Sequence, residues 1–490
     1  MIGKIKYVLI LLLAVILADA AAQNSQVMYF MNLPQNHILN PALRPSNSVY
    51  IGLPVVSGIN LNINNNFVNF SDIFMKGQSK DSIISFLHPD YDVNKFLAKI
   101  KDKNSIVPEV AIQLLGVGFS VGKDGYVFLD INDRIDGNIV LPGDLFKLAL
   151  KGNEEFVGSK IDLSSLRGDI KYYREFGLGY SRNFTDKLRV GIKGKLLFGI
   201  ADASIDNKSL GITVNDDYTH TLDADLSVNI SGPVNVSTDS KQNIESIVID
   251  DNRFKTSSGI ADFVSGKKNM GLGLDIGATY DFTDRIVISA SITDLGFIRW
   301  TKDVTNLKAN NQFEFSGLNM LDVFNGTKSF KELGNDMLDS LKNAFIVSKT
   351  NAPFTTYLPF GISLGGSYNV TKQITLGLLS YSKIIGSQIR EALTLSANIN
   401  LGNAFSTSLS YTAENYQWDN LGAGLAFRAG VAQFYLVTDR IPIMWNIIKN
   451  DNSSIPLPAN WNTFNLRLGM NLVFGNRPKE KNDKPMILIE

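Results

Sequence analysis

Residues 271–293 read GLGLDIGATYDFTDRIVISASIT, and their phase decides the fold. Leu272, Leu274, Ile276, Ala278 and Tyr280 occupy one side of a period of two, while Gly271, Gly273, Asp275, Gly277 and Thr279 occupy the other. A tight polar turn follows. The alternation then resumes with Ile286, Ile288, Ala290 and Ile292 opposite Ser289, Ser291 and Thr293. This is a β-hairpin with one apolar and one polar face. Three more stretches have the same form: Tyr180 to Gly191, Tyr368 to Gly377 and Ala397 to Ser408.

A soluble sandwich would show the same alternation, so other features decide between sandwich and membrane barrel. The N-terminus carries Lys4 and Lys6, an apolar run from Tyr7 to Leu17, then Ala18, Asp19, Ala20, Ala21 and Ala22. That order reads as a cleaved signal peptide over residues 1–22, too short to span a bilayer. No later stretch has the length of a membrane helix. Several strand segments run ten residues or more, suited to a tilted membrane strand. Tyr180, Phe184, Tyr280, Phe282 and Tyr368 stand beside the tight turns, where an interfacial aromatic girdle is expected. The expected fold is all-β: a transmembrane antiparallel β-barrel of about 14 to 16 strands with long, partly helical extracellular loops.

Sixteen segments alternate suitably, with 48–64 and 242–251 the weakest, so a 14-stranded barrel stays open. The short turns near 122–123, 182–186, 282–284, 370–372, 402–403 and 429 are expected on the periplasmic side. The connections at 65–106, 135–167, 201–218, 252–269, 298–355 and 440–460 are then extracellular, and 232–241 is a longer periplasmic link. Small residues on the polar face are expected to ease curvature and leave the lumen unblocked. In the last strand Leu466, Leu468, Met470, Leu472 and Phe474 form an apolar stripe, with Phe474 in the place of an assembly signal. Residues 48–475 are thus assigned to the barrel, 23–47 to an N-terminal segment, and 476–490 to a charged periplasmic tail.

Composition narrows function by exclusion. Of 490 residues, 47 are Lys or Arg and 47 are Asp or Glu, with no basic cluster, so no nucleic-acid partner is expected. The chain has no cysteine, which excludes thiol catalysis, disulfides and a lipid anchor on cysteine. His37, His88 and His220 are scattered and read as surface or loop residues rather than metal ligands. Asp130, Asn132, Asp133, Asp136 and Gly137 miss the spacing of a calcium loop. The pairs Asp216 with Asp217 and Asp250 with Asp251 read as solvated loop charges. No catalytic, cofactor or metal residue is assigned, and the protein is read as a non-enzyme. Helices are expected within Asp81 to Ile100, at Gly143 to Lys151, and at Phe330, Leu333, Met337, Leu341 and Phe345, whose spacing is amphipathic.

The stretches YFMNLPQNHILNPALRPSNSVYIGLP (Tyr29 to Pro54), GNIVLPGDLFKLALKGN (Gly137 to Asn153) and SLRGDIKYYREFGLGYS (Ser165 to Ser181) resemble a family of uncharacterised outer-membrane proteins of Gram-negative bacteria. Ile63 to Gly77, Phe86 to Tyr91 and Asp217 to Asp225 extend the likeness. Asn40, Pro41 and Ala42 look like the N-terminal motif shared by the long-chain fatty-acid transporter superfamily and the barrels of type nine secretion. That resemblance implies a 14-stranded barrel whose N-terminal segment, here 23–47, folds into the lumen as a hatch. On local chemistry alone, Asn before Pro equally makes a turn. The expected role is an outer-membrane barrel, surrounded by lipid, that transports or conducts a ligand, with hydrophobic small molecules as candidates. The alternative is an interaction component of the cell surface or of a secretion apparatus, with a protein partner on loop 298–355 or the C-terminal tail.

Overall fold

The computed structural model describes residues 26–77, 83–216, 219–240, 244–250, 255–259, 269–315, 332, 347–402, 404–414, 417–442, 444–449, 454–459 and 461–475. The segments 1–22 and 476–490 lie outside these residues. So do Asp217, Asp251 and the amphipathic set Phe330, Leu333, Met337, Leu341 and Phe345.

The chain forms a closed antiparallel barrel of 14 strands. In chain order the wall strands are β1 (Val49–Gly52 continuing as Ile59–Asn65), β2 (Lys103–Val121), β3 (Gly125–Pro142), β4 (Arg167–Asn183) and β5 (Leu188–Val214). Next come β6 (Asn269–Asp281), β7 (Ile286–Trp300), β8 (Phe354–Tyr357 continuing as Phe360–Asn369), β9 (Ile374–Ile385) and β10 (Gln388–Leu401). The last four are β11 (Phe405–Glu414), β12 (Gln417–Ala429), β13 (Ala432–Thr438) and β14 (Thr463–Phe474). Each strand pairs with its neighbours in sequence. β14 closes the ring on β1 with Val49 opposite Phe474 and Asn60 opposite Arg467, so no wall edge is left unpaired.

Alternation in sequence becomes alternation across the wall. On β6, Met270, Leu272 and Ile276 are exposed on the outside while Gly271, Asp275, Gly277 and Thr279 are buried inside. On β10, Leu395, Ala397 and Ile399 face out and Thr394, Ser396 and Asn398 face in. The exposed leucines form an apolar belt suited to lipid. At the short-turn end, Gly122 (φ 63°) and Gly430 (φ 63°) take the left-handed backbone that these tight reversals need.

Two segments read as strands lie outside the ring, which brings sixteen down to 14. His220–Ser231 pairs with the outer length of β5, from Val214 to Asp202. It pairs on its other side with Val304–Phe315, which in turn meets Val347–Thr350. These strands build a sheet beyond the rim. Among the described residues Ile244–Ile249 pairs only with Val234–Thr238, in a separate hairpin. Two connection assignments change as a result. Much of 201–218 is a continuation of β5 rather than a loop. The start of 232–241 lies at the long-loop end, where Ser231 Oγ donates to Lys302 O at 2.9 Å. The apolar face of 222–230 accordingly meets no lipid: Leu222 and Ala224 are buried with Ile161, Leu210 and Ile212.

Loop packing at this end is organised by α1 (Gly143–Lys151), whose Leu145 and Leu148 join that cluster. Its Phe146 and Leu150 pack on a second cluster of Val68, Ile84, Tyr91 and Phe96. Within 81–100 the helix is confined to Val93–Leu97, and Ile83–Ser85 is extended. Asp92 caps that helix by accepting from Asn94 N at 3.1 Å, which sets its start.

Candidate functional site

Residues 26–47 lie inside the ring as two short helical turns, Gln26–Phe30 and Pro34–Ile38, joined by extended links. The wall is shaped to take them. A Cβ built on Gly191 or Gly277 would run into Pro41 or Asn40, and one on Gly365 or Gly377 would meet Tyr29 or Phe30. One on Gly422 or Gly424 would meet Val27 or Met31. The small polar-face residues therefore make a bed for this segment instead of leaving the lumen clear. Val27, Met28, Leu33 and Leu39 pack with Leu379, Tyr435 and Val437 of the wall. Burying each such side chain contributes about 1.5–3 kcal/mol.

Hydrogen bonds fix the segment's height. Arg44 donates to Asp124 O at 2.7 Å, beside the short turn, and to Ser181 Oγ at 3.0 Å. Further in, Ser291 Oγ donates to Leu39 O at 2.8 Å, and Gln35 Nε2 donates to Asn471 Oδ1 at 2.6 Å. Asn40 Oδ1 accepts from Ala42 N at 2.9 Å, closing a turn over Pro41, while its Nδ2 donates to Tyr29 OH at 3.0 Å.

Above this floor the lumen is crossed by a layer of buried charge. Asp130 receives His37 Nε2 at 2.7 Å and Lys193 Nζ at 3.2 Å. Glu175 takes Lys193 at 2.7 Å, Arg134 at 3.3 Å and Lys195 at 3.7 Å. Lys195 also reaches Asp275 at 2.7 Å, and Arg134 reaches Asp294 at 2.7 Å and Asp136 at 3.5 Å. Lys383 pairs with Glu109. The Arg134 guanidinium lies 5.6 Å from the centroid of the Tyr173 ring, whose hydroxyl donates to Asp136 at 2.6 Å. Desolvating this many charges is tolerable only because each of these acids has a basic partner.

Local backbone explains how one of these groups arrives. Asp294 takes the left-handed conformation (φ 64°) where the β6–β7 register shifts, a geometry Asp adopts more readily than most side chains. The bulge turns its carboxylate to Arg134 and Lys195.

Between floor and charge layer lies a cavity of ≈ 60 Å³ lined by Gln35, Ile38, Asn60, Gln113, Asn132, Arg134, Lys195, Tyr435 and Arg467 among others. Its residues come from both the N-terminal segment and eight wall strands.

The structure distributes the sequence-derived candidates as follows. Asn40, Pro41 and Ala42 sit on the bed at Gly191 and Gly277. Tyr180, Phe184, Tyr280, Phe282 and Tyr368 are exposed at the short-turn end, and Phe474 is exposed at the end of β14. The histidines require correction. His37 is 1% exposed, enclosed by Asp130, Phe128 and Tyr50, and His220 is buried beside Asn153; His88 alone is at the surface. The run from Asp130 to Gly137 is a β3 segment whose successive residues point to opposite faces, so Asp130, Asn132 and Asp136 face the lumen while Asp133 pairs with Arg174 on the other face. The charge layer was not assigned from sequence, although the lysines of 191–197 (GIKGKLL) fall on the inward phase and carried that signal.

The chain belongs to a family of unknown function (DUF5723), which it matches over residues 41–439. No curated protein matches it. Among solved structures, the toluene transporter TbuX of Ralstonia pickettii is similar at 10% identity and TM-score 0.39, with 92% of this chain and 98% of that one covered. A Pseudomonas aeruginosa FadL homologue is similar at 10% identity and TM-score 0.39, covering 94% and 100%. The P. putida toluene transporter TodX is similar at 9% identity and TM-score 0.36, covering 94% and 96%.

Proposed function

We propose that this protein is an outer-membrane transport barrel for small molecules, hydrophobic ones among them, with residues 26–47 as its gate. One observation carries the reading: at six wall glycines, Gly191, Gly277, Gly365, Gly377, Gly422 and Gly424, an added Cβ would run into this segment. A barrel serving only as a membrane anchor needs no inserted segment and no fitted bed. Among the described residues the segment is held by packing and hydrogen bonds and joins the wall covalently at its C-terminal end, so it can shift without breaking the ring. The apolar belt supports insertion in lipid. The charge layer bears on the cargo: a solute crossing the lumen passes ion pairs, so a hydrophobic cargo with a polar head suits it better than a plain hydrocarbon.

The test is conductance and uptake by the full chain in reconstituted vesicles, beside a variant with residues 26–43 removed. The full chain should conduct rarely and the shortened one persistently, with matching differences in uptake of small hydrophobic and polar solutes. Two equally sealed barrels would refute the reading.

A further inference from the structure

The connection between β13 and β14 carries more apolar surface than a loop in water should. From Ile441 to Ile448 the sequence is IPIMWNII, with Asn446 as its one polar residue, and the polar stretch KNDNSS follows at 449–454. Trp445–Lys449 and Ser454–Pro458 pair as an antiparallel hairpin, with Trp445 opposite Pro458 and Ile447 opposite Pro456. Met444, Trp445 and Ile447 are 47%, 48% and 60% exposed. Large apolar side chains grouped in this way mark a contact with a partner or a membrane.

The place of the hairpin in the fold selects the membrane. Ala459 N donates to Met444 O at 2.8 Å, which closes the root, and Ser71 Oγ donates to Ala459 O at 2.5 Å. Two residues further on, the Trp461 ring meets the Phe464 ring at a steep angle, with centroids 5.3 Å apart. Phe464 heads the outward stripe of β14, followed by Leu466 and Leu468, and stands opposite Ile63, which is exposed on the same face of β1. The patch therefore begins where the lipid-facing belt ends.

We infer that this hairpin is a membrane element, its Trp445 face inserted into the outer leaflet so that lipid acyl chains cover Met444, Trp445 and Ile447. A tryptophan suits the border between chains and headgroups, because its ring is apolar and its N–H is polar. The polar stretch 449–454 suits the headgroups or the water beyond them. A protein partner would have to strip lipid from a surface continuous with the wall, whereas acyl chains already reach its edge. The connection 440–460 is then not wholly a solvent loop. The inference rests on the reading of the barrel as embedded in lipid, and it holds whether or not the barrel conducts.

The test uses the full chain, which has no cysteine of its own, with one nitrobenzoxadiazole label at Ile447→Cys, Leu395→Cys or Lys208→Cys. Leu395 lies on the belt of β10, and Lys208 is exposed on the outer length of β5. In phosphatidylcholine vesicles, brominated acyl chains should quench the label at 447 as strongly as at 395, while iodide present on both sides of the bilayer leaves it bright. At 208 iodide alone should quench. Heat-dependent gel mobility reports whether each labelled variant is folded. Iodide quenching at 447 would put the patch in water, and a label shielded from iodide yet untouched by brominated chains would put it against protein; either overturns the assignment. If the label at 395 also escapes brominated chains, the membrane reading itself fails and this one falls with it.

Discussion

His37 Nε2 lies 2.7 Å from Asp130 Oδ2, joining the inserted segment to the wall across 93 residues of sequence. Asp130 keeps Lys193 and Gln113 as further partners, so removing the imidazole loosens the segment while leaving the carboxylate neutralised. His37→Ala should cost about 1.5–3 kcal/mol, the range for a hydrogen bond to a charged group. The cost should fall on local release of the segment rather than on the ring. Since the chain has no cysteine, Ala42→Cys gives a single reporter thiol at a fully buried position. Its maleimide labelling should accelerate about tenfold or more with His37→Ala, and an unchanged rate would sink the latch.

Gly191 and Gly194 share a strand and face opposite ways. A Cβ on Gly191 meets the Pro41 backbone, whereas one on Gly194 meets nothing within 4 Å. Gly191→Val should therefore displace the segment at a cost of about 1–3 kcal/mol and raise conductance. Gly194→Val should do neither, and equal effects of the two would contradict the fitted bed.

Glu175 serves three cations, Lys193, Lys195 and Arg134. Glu175→Gln strands buried positive charge, and the barrel should lose about 3–5 kcal/mol of stability, measured by reversible urea unfolding in lipid vesicles. The exposed pair Lys151–Glu155 is the comparison. Lys151→Ala should cost no more than about 1 kcal/mol.

Leu395 is 58% exposed on the outer face of β10. In a bilayer, Leu395→Arg should destabilise the barrel by about 2–4 kcal/mol, read by the same vesicle titration. A negligible change would mean that this face does not meet lipid.

The sequence made the wall readable wherever a strand has lipid on one side and lumen on the other, because both environments select residue type at a period of two. Residues 271–293 are the clearest instance. Segment 219–231 shows the limit of that signal. Its alternation is as regular as that of β6, yet it packs against Ile161 and Ile212 beyond the rim. Periodicity reports that one face is covered and does not report by what. The lumen was harder still. His37 carries no local mark of its partner, because Asp130 reaches it only after the ring has closed. Lys193 and Lys195 were on the inward phase, but Glu175, Asp275 and Asp294, which make them tolerable, come from three other strands.

β5 runs unbroken for 27 residues, Leu188–Val214, first between β4 and β6 and then as part of the sheet beyond the rim. At about 3.3 Å per residue it is one continuous beam serving two storeys. A pull on the outer sheet enters the wall along this backbone and loads its ladders in shear, so many hydrogen bonds resist together instead of peeling one at a time. The outer sheet is thereby a mechanically stiff mount.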